Sequence, residues 1–184
     1  MRRRITLVDV AKVGCLVVLI GYCVFGGATL LRHAAETRRA GTCLSNMIQL
    51  YRGMRMHALG QKGALPAAES WADALVRHKL IPNEQVLHCP KATGRYGYAM
   101  NSQLGGANLE RIAEPTQRVL LFESTTDTRN AHDRLESIPD ALRHPRGNHY
   151  MFVDGHGEWL QEVPRVEGEN QRPQEPAAEA EEDG

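Results

Sequence analysis

The sequence carries no net charge and few aromatic side chains, and both shortages limit what the protein can do. Its 184 residues include 22 basic and 22 acidic residues, so the formal net charge is zero. Without an overall basic field, the composition gives no support for a nucleic-acid partner. Aromatic residues make up only 5% of the chain, which predicts a core built mainly from aliphatic side chains and methionine.

The sequence motifs of several common enzyme classes are also absent. The chain contains no G-x-S-x-G element, no Walker loop, no H-E-x-x-H and no C-x-x-C pair. We therefore predict a protein that is not an enzyme and that needs no cofactor.

One long uncharged run dominates the N-terminal part of the chain. Residues 13–31 read VGCLVVLIGYCVFGGATLL, close to the roughly 20 apolar residues that span a bilayer. Arginines follow the run where a cleaved signal peptide would have small residues, which favours a retained transmembrane helix. The positive-inside rule weakly favours a cytoplasmic segment 1–12 and a single pass through the cytoplasmic (inner) membrane. Membrane lipid is therefore the first expected partner.

The region 32–162 predicts one extracytoplasmic domain of the α+β class. Apolar residues recur at spacings of three and four from Ala40 to Ala58, which continues the membrane helix as an amphipathic half. Glycines from Gly60 onward predict its end. Ser70 followed by Asp73 is a variant of the capping box and predicts a short helix to about Lys79.

Strand signals follow in the second half of the domain. Residues 95–100 and 118–122 have strand-like patterns, whereas the polar segment 124–143 is typical of a loop. The proline-rich, acidic segment 163–184 has no hydrophobic periodicity and is predicted to be a disordered tail.

The clearest local signal is a hairpin around Asp154 and Gly155. A two-residue type I′ turn at this dipeptide pairs Val153 with His156. That register places three aromatic residues on one face, which we assign to the core: Tyr150, Phe152 and Trp159.

Cysteine and histidine allow several interpretations. Cys43 and Cys89 lie in the soluble part. They either form one disulfide or remain two unpaired buried thiols, and the sequence leaves both interpretations open. We predict no metal site, because the hairpin register separates its histidines along the ribbon. The weak candidates for a transition metal are His144, Asp154 and His156. Loop carboxylates that could bind calcium are Glu123, Asp127 and Asp133.

Several short motifs occur in an order typical of one protein family. His144 is followed by nine residues and then by Asp154-Gly155. Three further fragments precede it: Cys43-Leu44-Ser45-Asn46, His88-Cys89-Pro90 and Tyr98-Ala99-Met100-Asn101. Together they resemble the H-x9-DG family of pseudopilin-like proteins, which is related to the pseudopilins of type II secretion.

The N-terminus is similar to the segment at which a prepilin peptidase cleaves. The similarity covers Ile5-Thr6-Leu7-Val8-Asp9. Arg4 stands where such proteins have glycine, and Asp9 stands where they usually have glutamate.

The resemblance implies a pilin-like fold, with the long N-terminal helix packed on a small antiparallel sheet. It also implies a membrane-anchored structural subunit of a type II secretion or type IV pilus-like envelope assembly. Its partners would be copies of itself or other pilin-like subunits, bound through the N-terminal helix. Two alternatives stay open. One is an unprocessed single-pass protein with a binding domain that does not polymerise, and the other is a metal-dependent hydrolase.

Overall fold

A single long helix begins the structure. A computed structural model of the protein describes residues 7–164, with side chains from Gly14 onward. Helix α1 (Leu7–Gly60) has 54 residues and is about 80 Å long at 1.5 Å per residue. The predicted membrane half and amphipathic half therefore form one continuous helix. It ends where the N–H of Gly63, at a φ of +91°, donates to the carbonyl of Ala58 at 2.8 Å.

The N-terminal part of α1 is long and apolar enough to cross a membrane. Within its described side chains, from Gly14 onward, an 18-residue window has a mean hydropathy of 2.1 and is not buried by the protein. The predictions for residues 1–6 and for the tail 165–184 lie outside the described residues.

The short second helix is capped from another part of the chain. Helix α2 (Trp71–Arg77) begins close to the predicted position, but no side-chain capping bond from Ser70 is found among the described residues. Instead, Oδ1 of Asn130 accepts from the N–H groups of Ala72 at 2.9 Å and Asp73 at 3.1 Å. The predicted capping box is therefore wrong, because a long-range contact satisfies the helix terminus.

Within residues 7–164 the sheet has five strands. They are β1 (Tyr98–Asn101), β2 (Val119–Glu123), β3 (His132–Asp133), β4 (Asn148–Phe152) and β5 (Gly157–Leu160), in the spatial order β3-β1-β2-β4-β5. All neighbours are antiparallel except β1 and β3, which are parallel. The α+β class is confirmed, but the sheet is mixed rather than purely antiparallel. Strand β3 lies in the predicted loop 124–143, and its two residues are too few to show an alternating pattern.

Both faces of the sheet are covered. Helix α1 packs on one face, where buried residues of the helix meet buried strand residues: Met47, Leu50 and Met54 against Met100, Leu121 and Met151. The segment between β2 and β4 covers the other face, with Ala131 and Ile138 against Phe122, Tyr150 and Phe152. A sheet covered on both faces buries successive residues of a strand, and β2 and β4 are buried throughout.

The hairpin has a different register from the predicted one. Phe152 donates its N–H to the carbonyl of His156 at 3.0 Å, which leaves a three-residue loop, and His149 pairs with Trp159. Gly155 has a φ of +94°, whereas Asp154 is not among the described residues with a positive φ. A type I′ turn needs positive φ at both central residues. Trp159 therefore lies on the face of His149, and the predicted core set that joined it to Tyr150 and Phe152 is wrong.

Candidate functional site: a buried thiol, carboxylate and imidazole cluster

Five polar side chains from separate segments meet between α1 and the sheet. Helix α1 supplies Cys43, and the loop before β1 supplies Cys89. Glu123 is the last residue of β2, His144 precedes β4, and His149 lies within β4. All five are at most 2% exposed. Free cysteine is often fully buried, but glutamate and histidine are rarely this buried without strong partners.

One carboxylate oxygen is the centre of the cluster. Oε1 of Glu123 lies 2.6 Å from Sγ of Cys43, 3.3 Å from Sγ of Cys89 and 2.8 Å from Nε2 of His144. Nε2 of His144 lies 3.8 Å from Sγ of Cys89. The potential metal-ligating atoms of Cys43, Cys89, Glu123 and His144 all lie within 4.8 Å of one another.

The surrounding groups hold this arrangement in place. Oε2 of Glu123 accepts from the backbone N–H of His149 at 2.9 Å, which fixes the carboxylate plane. The hydroxyl of Tyr98 donates to Sγ of Cys43 at 3.2 Å. The rings of His144 and His149 meet edge to face with centroids 4.5 Å apart. The cluster is therefore a packed unit rather than a loose meeting of side chains.

His149 is the least satisfied member of the cluster. Its Nδ1 lies 3.4 Å from Oε1 of Glu123, within ion-pair range but without hydrogen-bond geometry. Neither of its ring nitrogens has a hydrogen-bond partner among the described residues. Leaving a buried donor or acceptor unpaired costs about 1–3 kcal/mol.

Burial and mutual contact shift the protonation of these groups. Burial raises the pKa of the Cys43 thiol far above its ordinary value. The neighbouring Cys43 thiol and His144 lower the pKa of Cys89. Burial alone would raise the pKa of Glu123, but the hydrogen bond and charge of His144, together with His149 and Cys43, outweigh it and hold that pKa well below its usual range. Burial alone would lower the pKa of His144, but its bonds to Cys89 and Glu123 raise it to about 9.

The structure relates to the predicted site residues in different ways. His144 belongs to the cluster, whereas Asp154 and His156 pair with each other at the partly exposed hairpin loop, 2.6 Å apart. Those two therefore join no site with His144. Cys43 and Cys89 are free thiols, which is the second of the two open interpretations.

Gly155 serves the packing of the hairpin against α1. A Cβ at this position would lie 2.5 Å from the ring of Tyr51. The hydroxyl of Tyr51 donates to the carbonyl of Val153 at 3.1 Å. The Asp154-Gly155 turn is thus pressed onto the helix.

The proposed calcium ligands do not converge. Glu123 is buried with the thiols, Asp127 accepts from the backbone N–H of Tyr96, and Asp133 accepts from that of Glu136. Sequence reasoning missed the roles of Glu123 and His149. The signal for Glu123 was a carboxylate directly after four apolar strand residues, where solvation is not available.

Only part of the prepilin-like segment falls within the described residues. Arg4, Ile5 and Thr6 lie outside them, whereas Leu7, Val8 and Asp9 form the first turn of α1. Comparisons of the chain with protein-family models, with curated proteins and with solved structures find no match.

Proposed function

We propose that the protein is a membrane-anchored, pseudopilin-like structural subunit of an envelope assembly, with its domain on the outer side of the cytoplasmic membrane. The observation that carries the proposal is the division of α1 into two environments. Its N-terminal half presents apolar side chains to the outside, and its C-terminal half forms part of the domain core.

The N-terminal half needs an apolar partner. Phe25 and Leu31 are both 74% exposed, and Val18 is 71% exposed. Residues 13–31 cover about 28 Å of helix axis, which fits a hydrocarbon core of about 30 Å. A bilayer would bury this surface, and so would the same helix of neighbouring subunits within a bilayer.

The C-terminal half fixes the domain to the anchor without a linker. From Ala40 onward, one face of α1 is buried against the sheet and α2, with members at spacings of three and four: Ala40, Cys43, Met47, Leu50, Met54 and Ala58. A continuous helix transmits the position of the membrane segment to the domain. Such a rigid subunit suits an ordered assembly in which helices pack along one axis.

The exposed half also has room for close helix contacts. A Cβ added at Gly14 or Gly21 would meet nothing within 4 Å among the described residues. These glycines are seven residues apart and lie on the same side of the helix. Small residues let helices approach each other closely in membranes.

The exposed native cysteines of the span, Cys15 and Cys23, allow a direct test. Membranes of the native host, with the protein at its native level, would be treated with an oxidant and analysed by non-reducing electrophoresis. We expect disulfide-linked dimers of the protein, or links to other pilin-like subunits, that disappear in the Cys15→Ser/Cys23→Ser variant.

The same membranes separate the alternatives. The solitary anchored domain would be supported instead by protein that resists alkaline extraction but stays monomeric under oxidation. The single variants Cys15→Ser and Cys23→Ser would then also form no linked dimers. Protein that alkaline extraction removes from the membrane would refute the anchor itself. A hydrolase centred on His144 gains no support, because His144 is only 2% exposed and its Nε2 contacts Glu123 and Cys89.

A further inference from the structure

We propose that Cys43, Cys89, Glu123 and His144 form a structural Zn²⁺ site that ties helix α1 to the sheet. This inference does not depend on the proposed assembly, because it concerns only the interior of the domain.

The donor set suits zinc. Zinc in structural sites takes four ligands from cysteine, histidine and carboxylate, in a tetrahedron. With bonds of about 2.0–2.3 Å, the edges of such a tetrahedron are roughly 3.3–3.8 Å. The ligand atoms of Glu123, His144 and the two cysteines are 2.6 to 3.8 Å apart where they are in contact, and all four lie within 4.8 Å of one another. Forming the tetrahedron therefore needs shifts of only about an ångström, apart at the shortest contacts and together at the widest separations.

The crowding around Glu123 points to a cation. A carboxylate oxygen offers about two lone-pair sites, yet Oε1 lies within reach of three donor groups and 3.4 Å from a fourth, Nδ1 of His149. Three of these groups, the two thiols and His144, are metal-ligating side chains like Glu123 itself, and a cation held among the four would relieve the crowding. Zinc would replace the thiol protons, so that its binding releases protons.

Neighbouring groups already hold two of the proposed ligands in position. The backbone N–H of His149 holds Oε2 of Glu123, which leaves Oε1 to bind as a single ligand. Tyr98 donates to the sulfur of Cys43. Such contacts orient the ligands of metal sites and tune their affinity. Two thiolates favour zinc over magnesium or calcium, which prefer oxygen ligands.

Burial assigns the ion a structural role. All four ligands are at most 2% exposed, and they come from four separate segments of the chain. A catalytic zinc keeps one position open to water, whereas a structural zinc has four protein ligands. Zinc would close long loops across the domain and so stabilise the folded state.

Metal analysis of the full-length protein tests the site. The protein would be purified in detergent with a tag that lacks histidine and without chelators, and then analysed by elemental mass spectrometry. We expect one zinc ion per chain, loss of zinc in Cys89→Ser, and full retention in the control variant Cys15→Ser/Cys23→Ser, whose cysteines are exposed.

A second measurement does not depend on a variant that folds. The wild-type protein would be depleted of zinc with a chelator and titrated with Co²⁺. We expect a melting temperature lowered by several degrees on depletion, and a thiolate-to-cobalt charge-transfer absorption that saturates at one equivalent.

Three results would overturn the proposal. One is a Cys43–Cys89 disulfide in the purified chain, found by mass spectrometry after alkylation. Another is two free thiols that take up neither zinc nor cobalt. The third is metal that is lost in Cys15→Ser/Cys23→Ser, which would place it at the membrane segment.

Discussion

Replacing Gly155 by alanine tests whether this glycine serves the contact between the hairpin and α1. The residue has a φ of +94°, and an added Cβ would lie 2.5–2.8 Å from atoms of the Tyr51 ring. The left-handed backbone costs a residue with a Cβ about 1–2 kcal/mol. Overpacking costs about 1–3 kcal/mol. We therefore expect Gly155→Ala to lower the free energy of unfolding by about 2–5 kcal/mol.

Gly106 is a matched control, since its φ is +71° and a Cβ there would meet nothing within 4 Å among the described residues. Gly106→Ala should cost only the backbone term, about 1–2 kcal/mol. The assay is urea unfolding of the full chain in detergent, followed by the fluorescence of the fully buried Trp71.

A double-mutant cycle with Tyr51→Ala isolates the steric part of the Gly155 effect. Without the ring, Gly155→Ala should cost no more than Gly106→Ala. Equal costs at the two glycines in the wild-type background, or an undiminished cost of Gly155→Ala beside Tyr51→Ala, would refute the reasoning.

Two further predictions use the same unfolding assay. Leu50→Ala, at a fully buried position of α1, should lower the free energy of unfolding by about 2–5 kcal/mol. Leu30→Ala, at a position 72% exposed, should change the free energy of unfolding by no more than about 0.5 kcal/mol. Similar losses at both positions would contradict the division of α1 into two environments. Asn130→Ala should lower the free energy of unfolding by about 0.5–2 kcal/mol, because Asn130 caps α2. Ser70→Ala should change the free energy of unfolding by no more than about 0.5 kcal/mol. A larger loss of stability for Ser70→Ala than for Asn130→Ala would show that Ser70 caps α2, as the sequence suggested.

The sequence by itself determined the features that depend on local patterning. The uncharged run 13–31, the apolar spacing from Ala40 to Ala58 and the glycines after it predict α1 and its end, because helix periodicity and backbone freedom act over neighbouring residues. The strand patterns at 95–100 and 118–122 predict β1 and β2 to within about three residues, and the hairpin signal predicts the pairing of the two strands that follow, because strand patterns also act over neighbouring residues.

Only the tertiary structure decided the features that depend on distant segments. Asn130 caps α2 from a distant part of the chain. Strand β3 forms because its two residues pair with β1. The hairpin register rests on a loop one residue longer than Asp154-Gly155 suggests, and this change moves Trp159 to the face of His149. A shift of one residue reverses the faces of a strand, so a small local error has a large effect.

The candidate metal centre shows the same limit most clearly. Cys43, Cys89, Glu123 and His144 are 21 to 80 residues apart where they touch, and no spacing rule links them. The sequence supplied the residue types, which are two cysteines, a glutamate and a histidine. Their convergence on one oxygen of Glu123 is a product of the packing of α1 on the sheet, which brings side chains together through space and not along the chain.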